Sequence, residues 1–142
     1  MWYRVSALWL MNSKGDVLLA RRAYTKTHHP GKWGPAVAGT VEAKESYKDN
    51  IIKETMEELG ITDLKITLGP KTKVEGKHNH FTQWFIGTID LPESKFAIQE
   101  KEVAEIKWFS QKELSDAIKT NPDEFLSSMI EYIEQFKKYT VN

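Results

Sequence analysis

The chain has 142 residues, with 20 basic and 20 acidic side chains, a formal net charge of zero and no cysteine. The lack of cysteine excludes disulfides, thiolate nucleophiles and cysteine-ligated zinc. Zero net charge excludes a global basic field that would hold a nucleic acid polymer, so any charge work falls to a local site.

The length predicts one domain over residues 1–142, large enough to bury a core without cross-links. The apolar start "MWYRVSALWLMN" is too short to span a membrane, carries Arg4 and lacks a cleavage site. The expectation is a cytoplasmic protein with no membrane partner.

Residues 2–11 read as a strand buried on both faces, and Asn12–Asp16, "NSKGD", as a turn. Val17–Arg22 reads as the return strand of a hairpin. "AYTKTHHPGKWGP" holds two prolines and two glycines and reads as a loop. Ala36–Val41 is a short strand leading to a glutamate-rich helix over about residues 45–59. Gly60 suits the helix C-terminal position that needs positive φ.

Strands follow near 63–75 and 80–91, then a charged loop, then Val103–Phe109, which alternates like a half-buried strand. Two helices close the chain. Ser110 with Glu113 fits a capping box, as does Asn121 with Glu124, with Pro122 at the first helical position. Phe125, Met129, Ile133 and Phe136 recur at spacings of three and four, the stripe of a helix packed on a core. Hairpin pairing of early strands with helices between later ones predicts a mixed sheet covered by helices, an α+β fold.

"KETMEELGI", Lys53–Ile61, places Glu54, Glu57 and Glu58 within five positions. On a helix Glu54 shares a face with both others. Two charges about 6 Å apart repel by roughly 3 kcal/mol at an effective dielectric near 20. Lys53 relieves part of that. The cluster therefore reads either as a solvated acidic face or as a platform for a hard divalent cation, magnesium or manganese, that bridges carboxylates to phosphates.

The wider stretch Gly39–Ile61, "GTVEAKESYKDNIIKETMEELGI", resembles the Nudix box over 23 residues with its spacing intact: Gly39, Glu45, Lys53-Glu54, Glu57-Glu58, Gly60 and Ile61. Two positions depart. Lys53 stands where the family has arginine and lacks its planar fork. Thr55 stands where the family has an aliphatic residue, and is close enough to valine in shape to pack. The order of strands before the box and "EVAEIKWFSQKEL", Glu102–Leu114, are also similar to Nudix domains. The resemblance implies the Nudix α/β/α sandwich around a mixed sheet. It also implies metal-dependent hydrolysis of a diphosphate bond in a nucleoside diphosphate linked to another moiety.

By that resemblance Glu57 and Glu58 are the main metal ligands, and Glu54 binds metal or orients and deprotonates the water. The backbone carbonyl of Ala38 or Gly39 supplies a further oxygen. Glu45 pairs with Lys53, or serves as a charge at the helix N-terminus. Glu102 is the first candidate for a completing late-loop ligand, with Glu100 and Glu105 in competition. Arg22, Lys26 and Lys32 are candidates for phosphate binding. Arg4, odd within an apolar strand, reaches the substrate cleft or only an edge.

His28 and His29 read as solvated, and His78 and His80 as a partly exposed strand end. Trp33 and Trp84 read as core. "RRAYTKTHHPGKWGPAVAGTV" is similar to the isopentenyl diphosphate isomerase-like branch, but isomerisation there needs a cysteine that is missing here. The alternative to a hydrolase is a Nudix domain that binds a nucleotide or a partner without turnover. The expected assembly is a monomer or a homodimer.

Overall fold

The computed structural model describes residues 2–139. Met1 and residues 140–142 of the expected domain span lie outside the described residues. The elements run β1 (Tyr3–Met11), β2 (Val17–Arg22), β3 (Trp33–Pro35), β4 (Val37–Thr40), α1 (Tyr47–Leu59), β5 (Ile66–Val74), β6 (His80–Thr88), β7 (Val103–Phe109), α2 (Gln111–Thr120) and α3 (Met129–Phe136).

All seven strands join one mixed sheet. β1 runs parallel to β6 along its whole length, from Tyr3 opposite His80 to Met11 opposite Thr88. Its other edge is shared. Residues Val5–Leu8 pair with β4, and only Leu10 and Met11 pair with β2. The expected hairpin therefore holds only near its turn. β2 then leaves β1 to pair with β3 and β7. The divergence of β2 from β4 opens the space in which the candidate site lies.

β1 is buried on both faces, as its apolar run predicts. Ala7, Trp9 and Met11 enter one core with Trp84, Phe109 and Phe136, while Leu8 and Leu10 enter a second with Ile51, Leu59 and Phe85. Alternation along the strand sends successive side chains to opposite layers. α2 and α3 cover the first core, and α1 covers the second. Phe136 stacks on Trp9 at 4.7 Å and meets the edge of Trp84 at 4.9 Å. Among the described residues no helix is long and apolar enough to cross a membrane.

α1 starts at Tyr47, capped by Ser46, whose Oγ accepts from the Asp49 N–H at 3.0 Å. It ends at Gly60, with φ at 71° and its N–H bonded to the Met56 carbonyl. The Ser110–Glu113 capping box opens α2 as expected.

Two expectations fail. Trp33–Pro35, within the stretch read as loop, is a strand; it sits at the sheet edge, where a proline costs no ladder bond. Asn121 makes no side-chain cap, and Pro122–Glu124 forms a single 3₁₀ turn. Phe125 then runs extended beside Trp33, and the Leu126 N–H donates to the Trp33 carbonyl at 2.9 Å. That tertiary pairing takes the backbone donors a helix would have used, so α3 begins only at Met129. Phe125, Met129 and Phe136 still reach the core, and Ile133 packs against it.

Candidate active site

The position of α1 is set by a buried polar network. Asn50, fully buried in the first turns of α1, accepts a hydrogen bond from the Ser6 hydroxyl of β1. Its amide donates to the Thr40 carbonyl and to Glu45 Oε1, each at 3.1 Å. The same Glu45 oxygen accepts from the Glu42 N–H at 3.0 Å, and Glu45 Oε2 meets Lys53 Nζ at 2.8 Å. The Lys53 ammonium, with the Glu42 amide next, holds the Glu45 carboxyl down at about 2. Bonding to Glu45 in turn raises Lys53. This lashes the loop after β4 to the first half of α1. It also explains the helix start two residues beyond position 45. Thr55 is buried, as expected of a valine-like packer.

One helical turn beyond Asn50 stand the glutamates. Glu57 is exposed, Glu54 half-buried and Glu58 only 9% exposed. Burial, then the hydrogen bond and the charge of Glu54, push Glu58 up to about 9. Glu58 thus stands as a buried acid crowded against Glu54. Gly39 makes room for them: a Cβ there would lie 2.7 Å from Glu54 Cγ.

Glu54, Glu57 and Glu58 line an open cleft of about 770 Å³, together with Ala38, Gly39 and Glu102. Arg22 and Lys26 also line it, and Lys26 is paired with Glu102. The Arg22 Nε donates to the His28 carbonyl at 2.9 Å. Of the competing glutamates, Glu105 is taken by Arg21 at 3.2 Å, and Glu100 is exposed and lines no part of the cleft.

Two expected substrate residues are placed elsewhere. Lys32 donates to the Asp123 carbonyl and lines a separate hollow beside α3. Arg4 points to the α1 side of β1, where it donates to the Glu42 carbonyl at 2.7 Å and lies over the Tyr47 ring. Its neighbours Tyr3 and Val5 line the cleft instead. Trp33 and Trp84 are core, as expected.

Sequence reasoning missed part of the cleft wall. His28, His29 and His78 line it with Tyr3 and Gln99. His80 is stacked on Tyr3 with ring centroids 4.9 Å apart. The only sequence signal was negative: loop histidines without an apolar reason to be where they are.

A profile of the NUDIX domain matches residues 2–131. The chain belongs to the Nudix domain family. Over 60 residues it is 42% identical to an uncharacterised Nudix hydrolase of Pseudomonas aeruginosa, covering 42% of this chain and 36% of that protein. Over 117 residues it is 26% identical to an isopentenyl-diphosphate Δ-isomerase of Aliivibrio fischeri, covering 78% of this chain and 65% of that one. The matched region thus spans from about a third to just under two thirds of those relatives. A MutT protein from Methanosarcina mazei has the same Nudix fold, with a TM-score of 0.77 at 22% identity, covering 97% of this chain and 94% of that one. So does the Nudix domain of Shewanella oneidensis NrtR, solved with ADP ribose, with a TM-score of 0.75 at 16% identity and 98% and 88% covered.

The donor set of this Nudix cleft suits a hard divalent cation. Its groups are all oxygens: carboxylates of Glu54, Glu57, Glu58 and Glu102, and carbonyls at Ala38 and Gly39. The crowding of buried Glu58 against Glu54 is an arrangement that a cation relieves. Among the described residues no three acidic or imidazole groups are already gathered to hold a metal ion.

Proposed function

We propose that this Nudix domain is a hydrolase that cleaves a diphosphate bond within a nucleoside diphosphate linked to another moiety, with magnesium or manganese as cofactor. The observation that carries this reading is the assembly of Glu54, Glu57, Glu58 and Glu102 on one wall of a cleft that also holds Arg22 and Lys26. Glu57 and Glu58 are the principal ligands in this reading. Glu54 binds the cation or takes the proton of the attacking water, and the Ala38 and Gly39 carbonyls and Glu102 complete the donor set. The cation, when bound, neutralises phosphoryl charge and acidifies that water. Lys53 holds Glu45, which supports a role in positioning the helix.

The nucleotide part of the reading is supported by the ligands of fold relatives. The NrtR domain was solved with ADP ribose, and a Caenorhabditis elegans Ap4A hydrolase shares the fold with a TM-score of 0.69 at 23% identity. Likeness to isomerases does not extend to isomerase chemistry, since the chain lacks cysteine.

A second reading, a Nudix domain that binds nucleotide without turnover, draws on the Lys26–Glu102 pair, which withholds one carboxylate from a cation. One experiment separates the two. Phosphate and pyrophosphate release is followed over a panel of nucleoside triphosphates, nucleotide sugars and dinucleoside polyphosphates, with magnesium and with manganese. Metal-dependent turnover that Glu57→Gln removes supports the hydrolase. Metal-dependent nucleotide binding with no turnover on any substrate supports the binding domain.

A further inference from the structure

The cleft has two chemically different walls. One carries the carboxylates of α1 and Glu102. The other is built by two loops far apart in the sequence. His28 and His29 come from the loop between β2 and β3, and His78 comes from the turn between β5 and β6. The His28 and His78 rings meet edge to face, centroids 6.1 Å apart and planes at 69°. All three imidazoles are exposed to solvent within the cleft.

Neither loop is a loose connection. The first closes on itself through the Gly31 N–H to the Arg22 carbonyl at 3.0 Å and the Arg22 N–H to the Lys32 carbonyl at 2.9 Å. The Arg22 guanidinium holds the His28 carbonyl from the side. Gly31 has φ at 69°, and the Tyr24 ring packs where its Cβ would be, so only glycine fits there. The Ala23 N–H donates to the Glu102 carbonyl at 3.0 Å, which ties this loop to the turn before β7 that carries the late glutamate. In the second loop Asn79 Oδ1 accepts from the Gly76 N–H at 2.9 Å, and the Asn79 carbonyl accepts from the Tyr3 N–H at 3.3 Å. His28 and His78 are thus presented by two separately braced loops.

The charges in the cleft leave a task undone. Five acidic side chains, Glu42 included, line the cleft with Arg22 and Lys26, and Lys26 is already paired with Glu102. A diphosphate held through a cation on the acidic wall still has phosphoryl oxygens turned away from that wall. Those oxygens need donors and cannot accept carboxylates. An imidazole donates an N–H in its neutral form and two in its cationic form, so it serves an anion across neutral pH.

We propose that His28 and His78 are substrate-binding residues that donate to phosphoryl oxygens not engaged by the cation. This rests on the hydrolase reading for its substrate, but its test does not require turnover. The probe is methylenediphosphonate, a diphosphate whose bridging oxygen is a methylene group, titrated calorimetrically in the presence of magnesium. Each hydrogen bond to a charged group contributes on the order of 1.5–3 kcal/mol, so His28→Ala and His78→Ala should each weaken binding about tenfold or more. Because both donate to one ligand, the double variant should lose less than the product of the single losses. His28→Asn and His78→Asn keep an N–H donor and should restore most of the affinity, which a role in loop packing alone would not predict. Both side chains are exposed, so melting temperatures should stay within about a degree or two of wild type. With substrate, KM should rise while kcat changes little. Unchanged affinity in both alanine variants would overturn the proposal while leaving the hydrolase intact. A wild-type protein that binds no diphosphonate with magnesium would overturn the proposal, while the turnover panel decides the hydrolase reading separately.

Discussion

The acidic wall and the histidine wall of the cleft are made in opposite ways. The acidic wall hangs from α1, whose position is fixed by Asn50, Ser6, Glu45 and Lys53, with its crowded carboxyls partly withdrawn from solvent. The opposite wall is made of loop residues, exposed and braced mainly by backbone hydrogen bonds. Groups that must be aimed at a reacting atom profit from rigid elements, while groups that read a substrate can sit on loops that vary freely. On the proposed reading, chemistry falls to the glutamates and recognition to the loop histidines.

The largest expected effect comes from Glu58→Gln. Losing a principal ligand should cut metal-dependent turnover about a hundredfold or more, measured as kcat with saturating magnesium. The same change removes the buried acid crowded against Glu54. The metal-free variant should therefore melt at or above the wild-type temperature near pH 8. A ligand-wall residue whose loss leaves activity intact would break the division between the walls.

Asn50→Ala tests the rigidity of the acidic wall. It strands the fully buried Ser6 hydroxyl and takes a donor from the part-buried Thr40 carbonyl. The cost should be about 2–4 kcal/mol in denaturant unfolding, with a clear fall in kcat because the glutamates one turn on lose their support. Alanine at His28 or His78 should cost almost nothing in the same assay, and that contrast sharpens the comparison.

The third test is pH. Glu58 has a folded-state pKa raised to about 9, by burial first and Glu54 second. The unfolded chain ionises near the ordinary glutamate value, so its proton is lost first and folding stability drains away as pH rises from about 4.5 to about 9. The melting temperature of metal-free protein should fall over that window, and the gain on adding magnesium should grow over it. Glu45, held down at about 2 by Lys53, acts with the opposite sign. Its contribution is present above about 4.5 and is lost as pH falls towards 2. A metal-free protein with flat stability from pH 5 to 9 would contradict the burial of Glu58 against Glu54.

The smallest effect is expected from Lys53→Arg. Lysine already makes the bond to Glu45, so the fork of arginine should change kcat by no more than about threefold.

The acidic wall was legible in the sequence because it depends on spacing along one helix. Glu54, Glu57 and Glu58 share a face by helical period, and Gly39 and Gly60 mark its ends. The central strands were legible from apolar runs, and Ser110–Glu113 from its capping pattern. The histidine wall was not legible, because His28 and His78 meet only through the fold. Asn50 gave no signal either, since a polar residue in a helix shows its use only once Ser6 and Thr40 are placed beside it. Arg4 and Glu105 turned on which face of a strand they occupy, a matter that Tyr47 and Arg21 decide. The false helix start at Asn121 shows a local pattern overruled by pairing with Trp33.

The most direct measurement is an anomalous difference map from crystals of the protein soaked in manganese. Manganese accepts both carboxylate and imidazole, so the ion itself chooses between the walls. A peak among Glu54, Glu57 and Glu58, close to the carbonyls of Ala38 and Gly39, is the predicted result. A peak held by His28 and His78, or none in the cleft, would contradict the assignment of chemistry to the acidic wall.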